Sequence, residues 1–205
     1  MAHEGERQAK ASGSFFGFDE EGMNAVFNWG IESYSVYALA YYEAAQRLLQ
    51  PILNSGNFAD YDAYPILFLF RHYVELTLKE VVLLTERMAK MERIELSQFN
   101  FATHDLTTLL EASERNLELL KETLGLNDQP FDKQTKDLIL DLCSFDQKSE
   151  AFRYPVDKKG NLFFPDHFLV GLPEVAENME CIHHSLIGLT EYLTVAYDNA
   201  CDMYS

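Results

Sequence analysis

Positive charge is in short supply in this chain. Its 205 residues carry 16 lysines and arginines against 33 aspartates and glutamates, a formal net charge of -17. Such a surface repels nucleic acid at long range and favours solubility. Binding RNA or DNA through bulk charge is therefore disfavoured, and any such contact needs a local basic groove. Cysteine is equally scarce. Cys143, Cys181 and Cys201 are widely spaced and none sits in a C-x-x-C pair. That pattern argues against a disulfide framework and a structural zinc site, and suits buried thiols in a reducing cytoplasm. The first residues lack the basic-then-apolar order of a secretory signal. The most apolar stretch, after Tyr64, is broken by Arg71, His72, Glu75 and Lys79, which makes it a poor membrane span. No Walker loop, G-x-G-x-x-G, G-x-S-x-G or H-E-x-x-H occurs, so neither a cofactor nor a metal is called for.

What the chain has is helical periodicity. Its length suits one domain with a sizeable core. Residues 1–30 read as a flexible or irregular lead-in, polar at first and then rich in aromatics, acids and glycines. Residues 31–205 read as a single helical domain. A first helix is expected from about Ser33 to Leu53, with Tyr34, Tyr37, Ala38, Tyr41, Ala45, Leu48 and Ile52 on its apolar face. A second opens at Pro65, a favoured first-turn residue, and runs to about Lys90. Thr103 reads as the N-cap of a third. Its Leu106, Leu109, Leu110, Leu117, Leu120 and Leu124 share one face, Glu111, Glu114, Glu118 and Glu122 the other, and Gly125 ends it. Phe131, Thr135, Leu138, Leu142 and Phe145 mark a fourth. Extended arms around Lys158-Lys159-Gly160-Asn161 predict a small β-hairpin. A last helix opens at Pro173 and keeps its period through Val175, Met179, Ile182, Leu186, Leu189, Leu193 and Ala196. The fold class is mainly all-α: an up-and-down bundle of roughly four to five helices with a hairpin before the last.

The chemistry is concentrated in the second helix. Arg71, Glu75 and Lys79 follow at i, i+4 and form one stripe in an otherwise apolar segment. Buried charge is costly unless paired, so this stripe is either an internal ladder fixing helix register or the wall of a site. As a site, Arg71 would hold a phosphate while Glu75 orients it or moves a proton. His72 lies about 100° round the helix from Arg71 and need not share its face. His104-Asp105 at a helix start is the next candidate, either a site favoured by the helix dipole or a cap with His104 packed on the loop. Arg153-Tyr154, held extended by Pro155, would clamp a phosphate and stack a base, or else pack as a strand edge with Arg153 neutralising a buried acid. Adjacent His183 and His184 lack metal-ligand spacing and read as surface histidines. Tyr34, Tyr37 and Tyr41 read as core or dimer packing rather than a base-stacking stripe.

The order R-H-Y-V-E-L-T-L-K-E, a connector, T-H-D-L-T-T-L-L and then E-A-F-R-Y-P-V-D-K-K-G-N resembles the HEPN superfamily of small helical bundles. The resemblance spans roughly residues 64–161 and rests on Glu75, Lys79, His104, Asp105 and Leu106. It implies a helical bundle, usually a homodimer with a cleft between protomers. Many members are metal-independent endoribonucleases of toxin–antitoxin or antiphage systems, with an arginine followed after four to six residues by a histidine. No arginine here has a histidine at that spacing.

Three functions follow as expectations. One is a HEPN-like protein of a prokaryotic defence, toxin–antitoxin or stress system acting as a metal-independent endoribonuclease that lacks the usual motif. Its catalytic set would be Arg71, His72, Glu75, His104 and Arg153, with Lys79, Asp105 and Tyr154 binding. The second is a non-enzymatic dimeric module for a nucleotide, another anion or a protein partner. The third is an acidic partner, an antitoxin or nucleic-acid mimic, supported by charge alone.

Overall fold

The computed structural model describes Ala25 and residues 33–58, 60–126, 130–167 and 169–203. The expected lead-in over 1–30 lies outside the described residues apart from Ala25. The chain divides between Glu32 and Ser33, and all the described helices belong to the second unit.

Six α-helices are present among the described residues: α1 Ser35–Ser55, α2 Ala63–Met91, α3 Leu106–Leu119, α4 Lys121–Leu124, α5 Lys133–Phe145 and α6 Leu172–Met203. The protein is all-α, as the apolar periodicity predicts. α2 is the central rod and packs against α1, α3 and α6, while α5 bridges α3 and α6. It has no polar face to speak of. From Phe70 to Val82 only His72 is more than marginally exposed, which is the all-round burial expected of a helix at the centre of a bundle.

Local chemistry sets the helix limits. Pro65 sits in the first turn of α2, where its missing N–H is not needed. α2 ends without a glycine: Arg93 takes the left-handed region at φ 59° and the Ile94 N–H donates back to the Ala89 carbonyl at 2.8 Å. Gly125, at φ 62°, ends α4 in the same way, with the Leu126 N–H reaching Lys121. Leu120 interrupts the expected third helix, so it falls into α3 and the short α4. The cap of α3 is Asp105 rather than Thr103. An Oδ of Asp105 accepts from the Thr107 N–H at 3.0 Å, and Thr103 supports it by accepting from the Asp105 N–H. Asp105 directly precedes the first helical residue, and its short carboxylate reaches the second free N–H of the turn.

The core matches the predicted faces closely on α3 and α6. All six leucines expected on one face of α3–α4 are buried, each stabilising the fold by roughly 1.5–3 kcal/mol. On α1 the face departs from expectation at two positions. Leu49, not Leu48, is buried with Ala38 and Ala45, while Tyr37 and Leu48 lie exposed. α1 touches both α2 and α6, and Tyr34, Ala38, Tyr41, Ala45 and Ile52 of the expected face do reach the core, joined by Tyr42, Leu49 and Leu53. On α5 the buried set includes Ile139 and Cys143, and Phe145 is half exposed.

The predicted hairpin is not formed. Its turn is there: Asp157 accepts from the Lys159 and Asn161 N–H groups, and Gly160 takes φ 86°. The arms are not strands, and only one antiparallel bridge joins Val156 to Leu162. Pro155 and Pro165 flank that bridge and cannot donate to a ladder, so pairing stops after one step. No helix among the described residues is long and apolar enough to cross a membrane.

Candidate functional site

The stripe on α2 is buried. Arg71 is wholly enclosed, and Glu75 and Lys79 nearly so. The Glu75 carboxylate is the hub. Its Oε2 accepts from Arg71 Nη1 at 2.8 Å, and its Oε1 accepts from Lys79 Nζ at 2.9 Å. The same Oε1 lies 2.8 Å from Nδ1 of His104. The i, i+4 spacing brings the three α2 charges together, and α3 brings the histidine. Burial alone would push the Glu75 carboxyl up. The hydrogen bonds from Lys79, His104 and Arg71 outweigh it, and the pKa lies below its ordinary value.

Arg71 spends its other nitrogens on backbone. Nε donates to the Asp146 carbonyl at 2.9 Å, and Nη2 donates to the carbonyl of His104. It thereby ties the end of α5 and the approach to α3 onto α2. The Asp146 carboxylate adds a further contact, with Oδ2 3.5 Å from Arg71 Nε. Its Oδ1 caps the next turn by accepting from the Glu150 and Ala151 N–H groups. Arg71 is thus fully committed inside the protein, which is the internal-ladder alternative and leaves no nitrogen for the phosphate-holding one. No solvent-facing donor remains on a side chain with 0% exposure.

His104 is different. Its side chain is 55% exposed although its Nδ1 is held by a buried acid. An ionised Glu75 only accepts, so Nδ1 carries the hydrogen. In the neutral ring Nε2 is then left as the basic nitrogen. Asp105 supports this indirectly: it caps α3 and its own pKa is lowered, burial being outweighed by bonds from Thr108 and Thr107.

His72 joins the same carboxylate from the other side, with Nδ1 4.0 Å from Glu75 Oε2. Burial lowers its pKa, helped by Arg71, Lys79 and His104 and opposed by Glu75, so the ring is neutral at neutral pH. It is clamped between aromatics. Tyr41 of α1 meets it edge-on at 4.5 Å between centroids, and Phe68 stacks on it at 5.6 Å. Arg153 then covers Phe68, its guanidinium carbon 5.4 Å from the ring centre and 5.3 Å from that of Tyr154. His104, His72, Phe68, Arg153 and Tyr154 therefore form a continuous row, each linked to the next directly or through Glu75. Arg153 does not neutralise Glu75. Its Nε donates to the Ser149 carbonyl, and it stays largely exposed, as does Tyr154.

Tyr41, Phe68 and Asp146 carry no mark in the sequence that would place them here. Tyr41 and Phe68 read as ordinary apolar-face residues. Asp146 follows a helix end, and its contact with Arg71 spans 75 positions. His184 is exposed, as its polar neighbours suggest. His183 is not a simple surface residue, since it stacks on Tyr42 at 3.9 Å and its Nδ1 lies 2.8 Å from the Tyr73 hydroxyl. No family model, curated protein or solved structure matches the chain.

Proposed function

We propose that this is a HEPN-like helical protein of a prokaryotic defence, toxin–antitoxin or stress system that cleaves RNA without a metal. In this reading His104 is the general base, and Glu75 orients it. The observation that carries it is a half-exposed imidazole held through Nδ1 by a buried, ionised carboxylate, the arrangement that keeps Nε2 available for proton transfer. Nε2 takes the proton of a ribose 2′-hydroxyl. The 2′-oxygen bonds to the adjacent phosphorus as the bond to the 5′-oxygen breaks, leaving a cyclic phosphate, and water protonates the departing 5′-oxygen. Arg153 is the exposed cation in the row and balances charge on the phosphorane, while Tyr154 stacks a base. His72 is neutral and supports Phe68. Arg71, Lys79 and Asp105 hold the base in place from behind. The reading also takes the helices as an up-and-down bundle acting as a cytoplasmic homodimer.

The test is incubation of the purified protein with single-stranded RNA in excess chelator, with product ends analysed. Cleavage leaving cyclic phosphate ends is expected, reduced about a hundredfold or more by His104→Ala. No cleavage, or cleavage that survives loss of both His104 and Arg153, overturns the reading.

One observation favours a second reading. Every nitrogen of Arg71 is used internally and Glu75 is balanced by two buried cations, as in a purely structural ladder. The protein would then be a non-enzymatic dimeric module whose Arg153-Tyr154 surface binds a nucleotide or another anion. Arg153→Ala would weaken binding there, His104→Ala would leave it unchanged, and no turnover would accompany it.

A further inference from the structure

A cavity of about 280 Å³ lies between α2, α5 and α6, on a different part of the bundle from the ladder. Its walls are apolar, built from Phe70, Leu142, Phe152, Val175 and Ile182. Leu169, with 101% relative exposure, and the half-exposed Phe145 also line it. An isolated surface leucine needs no explanation, but exposed apolar side chains lining an apolar cavity do.

The polar groups of the cavity are of one sign. Asp141 of α5 and Glu174 of α6 line it with Asn178, and no lysine, arginine or histidine does so among the described residues. The two lysines of α5 are turned to other acids, Lys133 to Asp137 and Lys136 to Glu114. Glu174 folds back over Gly171, where an added Cβ would meet its Oε2 at 3.6 Å. The volume is close to the lower end for small-molecule pockets, roughly 300–1,000 Å³.

We infer that this cavity binds a small amphiphilic cation, its hydrocarbon body between α2, α5 and α6 and its ammonium group at the exposed carboxylates of Asp141 and Glu174. Apolar walls give such a ligand its affinity, and the two carboxylates that line the cavity choose the sign of its head; Lys133, which shares a neighbouring pocket with Asp141, is offset there by Asp137. An anionic amphiphile of the same length is rejected by the same two groups.

Octylammonium, octanol and octanoate share one hydrocarbon body and differ in the head, so their binding to the full chain separates the two contributions. By calorimetry octylammonium is expected to bind about tenfold more tightly than octanol, with octanoate weakest. Asp141→Asn combined with Glu174→Gln should bring octylammonium to the level of octanol without changing octanol binding. This pair removes only two of the chain's many negative charges, so a preference arising from overall charge would persist in it and overturn the inference. Equal binding of octylammonium and octanoate to the unaltered protein would do the same. Leu142→Trp, which fills the cavity, should abolish binding of all three; binding unaffected in a variant that still unfolds cooperatively places the site elsewhere and also overturns it.

Discussion

Nδ1 of His104 lies 2.8 Å from Oε1 of Glu75, joining an exposed imidazole at the approach to α3 to the buried middle of α2. The same carboxylate holds Arg71 and Lys79. One group thus serves two purposes: it neutralises the interior of the bundle and fixes the tautomer of a surface histidine.

Glu75→Gln should destabilise the protein strongly, by about 3–5 kcal/mol, because it leaves buried Arg71 and Lys79 without their counter-charge. Lys79→Met should cost less, since Arg71 still balances the acid. Urea unfolding measures both. A loss below about 1 kcal/mol for Glu75→Gln would mean that the ladder is hydrated rather than buried.

His104→Ala separates stability from chemistry. The ring is half exposed, so its removal should cost about 1 kcal/mol or less. RNA cleavage should fall about a hundredfold or more, mainly in kcat. His104→Gln should be similarly inactive, because an amide does not accept a proton at neutral pH.

The pH dependence of stability has two parts. Glu75 has a folded pKa below its ordinary 4.5. Its contribution is complete above 4.5 and is lost as the pH falls through the lower folded value. His72 is depressed below its ordinary 6.5 by burial, so the unfolded chain takes up a proton first. Stability should therefore begin to decline as the pH drops below about 6.5. His72→Phe should remove that early decline while leaving the acid limb, which a series of urea midpoints across pH would show.

Glu80 acts at a distance. Its buried carboxylate accepts from the Tyr34 N–H at 2.6 Å and from the Ser33 hydroxyl at 3.0 Å, capping α1 from the side of α2. α1 has no side-chain cap of its own. Glu80→Ala should cost about 1–3 kcal/mol and speed amide exchange in the first turn of α1 more than in α2.

Much of this was legible in the amino-acid order, for physical reasons. Leucine spacing on α3 and α6 repeats at the helical period over many turns, and only one face of such a helix can be buried. The stripe Arg71–Glu75–Lys79 was also readable, because i, i+4 neighbours must meet; the cap of α3 was misplaced on Thr103, two residues before Asp105, because both side chains can accept from a free N–H and only the backbone turn decides between them. On α1 five of the seven expected face residues reach the core, and only Tyr37 and Leu48 were misread, because an apolar side chain at the edge of a stripe carries no mark of which neighbour covers it. The hairpin was misread because a turn signal says nothing about whether its arms have a partner.

The sequence by itself determined the helices, their buried faces and the excess of negative charge, all of which follow from short-range periodicity and composition. The tertiary structure decided which charges are enclosed and which reach solvent. Arg71 and Arg153 look equally suited to a phosphate in the chain, yet one is locked against Asp146 and His104 while the other lies over Phe68 in the open. That distinction depends on contacts between residues far apart in the chain, where the desolvation of a charge is set by what packs around it and not by its neighbours in sequence.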